Sequence, residues 1–91
     1  MEKIYLVYVK NDYYGKISVD VTPCKTKEMA LSVVRQKKTD LVCEYVREVE
    51  GDMDDFKEEF VCKSREGYFE IVSRYRDCSS FVYIEEKEVL G

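Results

Sequence analysis

The sequence predicts an α+β fold. The expected architecture is an antiparallel sheet of four to five strands with one long helix, and room for a second short one, on one face, in the order ββα then ββ(β). Three observations carry this. From Thr26 to Gln36 an amphipathic run places Met29, Ala30, Val33 and Val34 on one side and Lys27, Glu28, Ser32, Arg35 and Gln36 on the other. Ahead of it lie two β-branched, tyrosine-rich stretches. Behind it, from residue 60 onward, aromatic and β-branched runs flank glycine- and serine-containing connections.

The first strand is expected over KIYLVYV, residues 3 to 9, where Ile4, Leu6 and Tyr8 alternate with Tyr5, Val7 and Val9. A strand that is apolar on both sides belongs inside a sheet rather than at its edge. Asn11, Asp12, Tyr13, Tyr14 and Gly15 read as a hairpin loop, since Asn, Asp and Gly tolerate the backbone angles a turn demands. KISVDVT, residues 16 to 22, alternates strictly, so Ile17, Val19 and Val21 are expected inward and Ser18, Asp20 and Thr22 outward.

Pro23 discourages an earlier helix start, and Thr26 is the natural N-cap. Residues 41 to 50 fit a helix through Val42, Tyr45, Val46 and Val49, and also a strand through Leu41, Cys43, Tyr45 and Val49. The absence of Gly or Pro between Lys25 and Glu50 favours a continued helix, with a break near Thr39 and Asp40 left open. Gly51 and Asp52 end that element. Met53, Phe56, Phe60 and Val61 would stripe a short helix, but a strand from Phe60 is preferred, turning through Arg65, Glu66 and Gly67 into residues 68 to 75. There Phe69, Ile71 and Tyr75 share a face. DCSS at 77 to 80 reads as a turn before a last strand over 81 to 89, with Val82 and Ile84 opposite Phe81 and Tyr83.

A chain of 91 residues makes one domain, 1–91, with a small core. At that length folding buries only about 60 to 65% of the surface the unfolded chain exposes. The 45% apolar and 37% charged composition is that of a folded domain, and no apolar run approaches the ~18 residues a membrane helix needs. The opening MEKIYLVYVK carries Glu2 and too short an apolar run for a signal peptide, so a cytoplasmic setting without membrane contact is expected.

The four cysteines, Cys24, Cys43, Cys62 and Cys78, include no CxxC pair, and the chain has no histidine. Neither a metal site nor a cofactor is expected, and the thiols read as reduced. Cys24, just before the Thr26 cap, comes nearest to a position that would activate a thiolate. Without histidine, acid–base catalysis has no obvious agent, so no catalytic residue is assigned and the chain is read as a non-enzyme.

A formal charge of −4 argues against direct nucleic-acid binding. The charge is concentrated. Glu48, Glu50, Asp52, Asp54, Asp55, Glu58 and Glu59 face Lys57 alone in their segment, a local charge of −6. Such a run is either a solvated loop or an acidic patch for a basic partner surface. Eight tyrosines and no tryptophan are also informative. Tyr5, Tyr8, Tyr45, Tyr75 and Tyr83 read as coverings of sheet and helix with their hydroxyls in water, whereas Tyr13 and Tyr14, in the expected turn, suit a protein contact.

The features IYLVYV, NDYYG, ISVDVTPCKTKEMA and the closing IEEKEV together resemble a group of short uncharacterised proteins from bacteria, phages and mobile elements. The resemblance covers both ends of the chain, leaves residues 40 to 60 unanchored and implies no activity. Small acidic proteins of mobile elements include inhibitors of host defence such as anti-CRISPR proteins. The leading expectation is therefore a non-catalytic, acidic protein-binding module, in its concrete form a mobile-element inhibitor of a host nucleic-acid-handling complex. Its contact residues would be Tyr13, Tyr14, Glu48, Glu50, Asp52, Asp54, Asp55, Glu58 and Glu59. A homodimeric structural module and a small thiol-dependent enzyme or regulator stay open beside it.

Overall fold

Strands β1 (Glu2–Tyr13) and β2 (Lys16–Cys24) form a hairpin, followed by helix α1 (Lys27–Glu48) and helix α2 (Met53–Glu59). Strands β3 (Phe60–Arg65), β4 (Tyr68–Ser73) and β5 (Cys78–Val89) complete the chain. The computed structural model describes residues 2–48, 53–74 and 78–89, and for residues 48 and 53–55 it describes the backbone alone. All five strands join one antiparallel sheet in the order β2-β1-β5-β4-β3, the α+β arrangement the sequence predicts. β1 is flanked by β2 and β5, so it lies inside the sheet as expected, while the middle strand is β5.

The expected loop at 11 to 15 shrinks to two residues. Tyr14 and Gly15 take φ of 55° and 87°, the doubly left-handed turn that matches the twist of a tight hairpin, and the Gly15 amide donates to Asp12 Oδ1 at 3.1 Å. Asn11 and Tyr13 stay in the strand because their side chains have partners inside the fold.

Thr26 caps α1 by accepting the Met29 amide on its Oγ1 at 3.1 Å, an interaction worth about 1 kcal/mol. The helix then runs without a break, settling the ambiguity at 41 to 48 in favour of helix. Thr39 Oγ1 donates to the Arg35 carbonyl one turn back instead of interrupting the ladder. The stripe it buries is Ala30, Val34, Leu41 and Tyr45, with Val33, Val42 and Val46 at its margins. Met29 was expected in that stripe, but it lies 51% exposed. It sits in the first turn, one step round from Ala30, and the sheet reaches only the Ala30 side. At the vacant step of the stripe Lys38 lays its stem along the core, with Nζ 5.6 Å from the Phe69 ring centroid and donating to Ser64 Oγ at 3.1 Å.

After α1 both readings of residues 53 to 65 hold in succession, a seven-residue helix and then a strand from Phe60. Cys78, Ser79 and Ser80 open β5 and are not a turn. Tyr75, Asp77 and the continuation of β4 through residue 75 lie outside the described residues. The core comprises Val7, Val9, Cys24, Phe56, Phe60, Phe69, Ile71, Cys78 and Val82 with the helix stripe, all on one face of the sheet. The molecule measures 49 × 25 × 16 Å along its principal axes, thin enough for one helical layer on one sheet and nothing on the sheet's other side among the described residues.

Candidate functional site

The register shows which side chains occupy the uncovered face. Tyr8 is opposite Val21, Lys10 opposite Val19 and Asp12 opposite Ile17, while the buried Val7 and Val9 face Thr22 and Asp20. Ile17, Val19 and Val21 therefore point away from the helix and are 61%, 51% and 47% exposed. This reverses the expected orientation of β2. Alternation sorts a strand's residues into two sets, but only the partner's register decides which set meets the helix.

The same face carries Val61, Val72 and Val89, so among the described residues six of the eight exposed large apolar side chains lie on it. Between these margins runs an aromatic row. Tyr8 and Tyr83 are directly opposite in neighbouring strands and stack at 5.1 Å with planes 12° apart, and Tyr68 is opposite Tyr83 on its other side. The Tyr8 phenol is held above its ordinary pKa, first by its hydrogen bond to the Glu85 side chain and then by burial. Arg65 lies over the Tyr68 ring at 4.6 Å. Apolar side chains, flat rings and charged residues on a regular surface can make broad contact area.

The helix-covered side holds the other notable constellation. Ser80, fully buried, donates to Asn11 Oδ1 at 2.6 Å. Its hydroxyl proton thus committed, it accepts from the Tyr45 phenol at 2.7 Å. Tyr45 is 1% exposed, and burial, the largest influence, pushes its pKa far up, so the expectation that its hydroxyl reaches water is overturned. This is a satisfied polar bridge between α1, β5 and β1.

The residues expected to bind a partner separate. Tyr13 is half-buried on the helix side of β1, its ring centroid 6.2 Å from that of Tyr45, so it belongs to the core margin rather than to an exposed turn. Tyr14 alone projects at the hairpin tip, 68% exposed. Glu50 and Asp52 lie outside the described residues, as do the side chains of Glu48, Asp54 and Asp55. Glu58 is exposed, while Glu59 is half-buried with its Oε2 enclosed and without a hydrogen-bond partner among the described residues. The sequence clue to the sheet face is the Ile17-Val19-Val21 alternation, which taken alone reads equally well as a core-facing row.

Cys24, the thiol singled out from the sequence, is buried, with Sγ 3.9 Å from the Thr22 carbonyl. Cys78 is buried too, whereas Cys43 and Cys62 are exposed, and burial pushes the Cys62 thiol pKa up against the opposing pull of Lys38. Alkylation of the native protein near neutral pH, followed by mass spectrometry, is expected to label Cys43 first, Cys62 more slowly, and Cys24 and Cys78 only after unfolding. Labelling of Cys24 as fast as Cys43 would restore a reactive-thiol role. Among the described residues no three of Cys, Asp and Glu gather as a metal site would require. No helix among them is long and apolar enough to cross a membrane. No protein family, curated protein or solved structure matches the chain.

Proposed function

We propose that this protein is a non-catalytic protein-binding module whose working surface is the bare face of its sheet. One observation carries the reading: among the described residues six of the eight exposed large apolar side chains share that face, and β2 turns its Ile and Val side chains to it rather than to the helix. Surface hydrophobes scattered singly need no explanation, but several gathered on one uncovered face, interleaved with Lys10, Asp12 and Glu70 and joined by the Tyr8–Tyr83–Tyr68 row, mark an interaction surface. Its stacked tyrosines supply broad contact area with few rotatable bonds. The expected acidic patch enters this reading only through Glu58, the one exposed carboxylate of that segment whose side chain is described.

Photo-crosslinking in the producing cell tests this. Benzoylphenylalanine placed at Val19 or Val72 is expected to yield discrete protein adducts, and the same probe at Glu44, on the outer surface of α1, to yield none. Absence of adducts from both sheet positions, or adducts from Glu44 alone, overturns the reading.

A further inference from the structure

We infer that two copies of this chain pair face to face through their bare sheet surfaces. The orientation of β2 is the starting point. On its helix side Lys16, Ser18 and Asp20 stand exposed beyond the helix, while Ile17, Val19 and Val21 stand exposed on the other side. Both sides of this stretch lie beyond the reach of α1, so only a second molecule can cover its Ile and Val side chains, and all three stand on the bare face.

Charge identifies the cover. By register the bare face carries Lys10, Lys63, Arg65 and Lys87 against Glu2, Asp12, Glu70 and Glu85, a net charge of zero on a chain whose formal charge is −4. Such a face neither attracts a nucleic-acid backbone nor selects a strongly charged partner. It can meet an identical copy without the repulsion the rest of this acidic surface would impose.

The size is adequate. Five strands about 4.8 Å apart, each contributing about seven residues at about 3.4 Å, span a projected face on the order of 24 by 24 Å. Two such faces remove roughly 1,200 Å² from water before side-chain relief is counted, the lower bound for a specific interface. Sheets packed in this way stand about 10 Å apart with their strands about 30° from parallel. A two-fold axis along β5, the middle strand, lays Ile17 of each copy over Val61 of the other, Lys10 over Glu70, and Val19 and Val21 over the stems of Lys63 and Arg65. It also brings the Tyr8–Tyr83 stacks together at the centre.

The pairing rests on the bare face being the docking surface, and the two ideas fail separately. Sedimentation equilibrium of the full chain up to about 100 μM is expected to show a species of twice the 10.8 kDa protomer mass. Val19→Lys combined with Val21→Lys, and independently Val72→Lys, are expected to weaken the dimer at least about tenfold, with Glu44→Lys leaving it unchanged. Circular dichroism confirms that each variant is folded, and if the double variant is not, Val72→Lys decides. A wild-type monomer throughout that range, or folded face variants with wild-type dissociation constants, overturns the pairing. Adducts of a foreign protein at Val19 with a monomeric wild type would sink the pairing while leaving the protein-binding reading intact.

Discussion

Tyr45→Ala is expected to lower the unfolding free energy by about 3 to 5 kcal/mol, the range for deleting a fully buried aromatic side chain. For a chain of this length total stability is on the order of 5 to 14 kcal/mol, so the variant will sit close to unfolding. Two losses combine. The ring fills space between Tyr13 and Phe60, with centroids 6.2 Å and 5.0 Å away, and the hydroxyl donates to the buried Ser80. Tyr45→Phe separates them. It keeps the ring and leaves Ser80 donating to Asn11, so a loss of only about 0.5 to 1.5 kcal/mol is expected. Urea denaturation of both variants measures the difference, and a Tyr45→Ala protein within 1 kcal/mol of wild type on the scale of such truncations would contradict the packing described.

The same pair gives a pH signature. The folded-state pKa of Tyr45 is raised, so its contribution is fully present below the ordinary tyrosine value of about 10. Above that value the unfolded chain releases the proton while the folded protein keeps it, and stability falls as pH rises. Tyr45→Phe should therefore flatten the alkaline limb of the stability profile.

Phe60→Ala is expected to cost about 3 to 5 kcal/mol as well, with a different spatial pattern. Phe60 is the residue at which α2 becomes β3, 3% exposed, its ring edge-on to Tyr45 at 76° and 5.3 Å from Phe56. Phe56 is the buried anchor of α2, so removing its neighbour should loosen that short helix before the sheet. Amide hydrogen exchange checks this: protection in α2 should fall further than protection in β1, and an equal fall in both would refute a local role. Because Phe60 and Tyr45 touch, the double variant should depart from additivity by about 0.5 to 3 kcal/mol.

The strands, the helix and their order were legible in the sequence because each rests on local chemistry: alternation, a capping threonine, a proline break. What escaped it depends on distant partners. Ser80 looked like a turn residue, yet its hydrogen-bond partners Tyr45 and Asn11 lie 35 and 69 residues away and make a buried strand position acceptable. Tyr13 looked like an exposed loop residue for the same reason, its neighbour Tyr45 being remote in the chain. The candidate surface is hidden by a parity problem: one residue of register separates a row that faces the helix from one on the bare face, and nothing within β2 itself fixes that choice. Met29 illustrates the same limit on a helix, where the width of the covered stripe depends on the sheet beneath it.

The position of β5 bears on how the protein comes to be folded. β1 with β2 and β3 with β4 are pairs of sequence neighbours, each able to close as soon as its own turn forms, but β5 follows all four and lies between β1 and β4. During synthesis the two hairpins therefore wait with an inner edge unpaired, and α1 has only part of its platform. The sheet closes when the final strand slides in between, joining residues as far apart in sequence as Glu2 and Val89. Pairing this long-range is expected to be the slow step of folding, with the uncovered edges of β1 and β4 the places where a partly paired chain would stick to its neighbours.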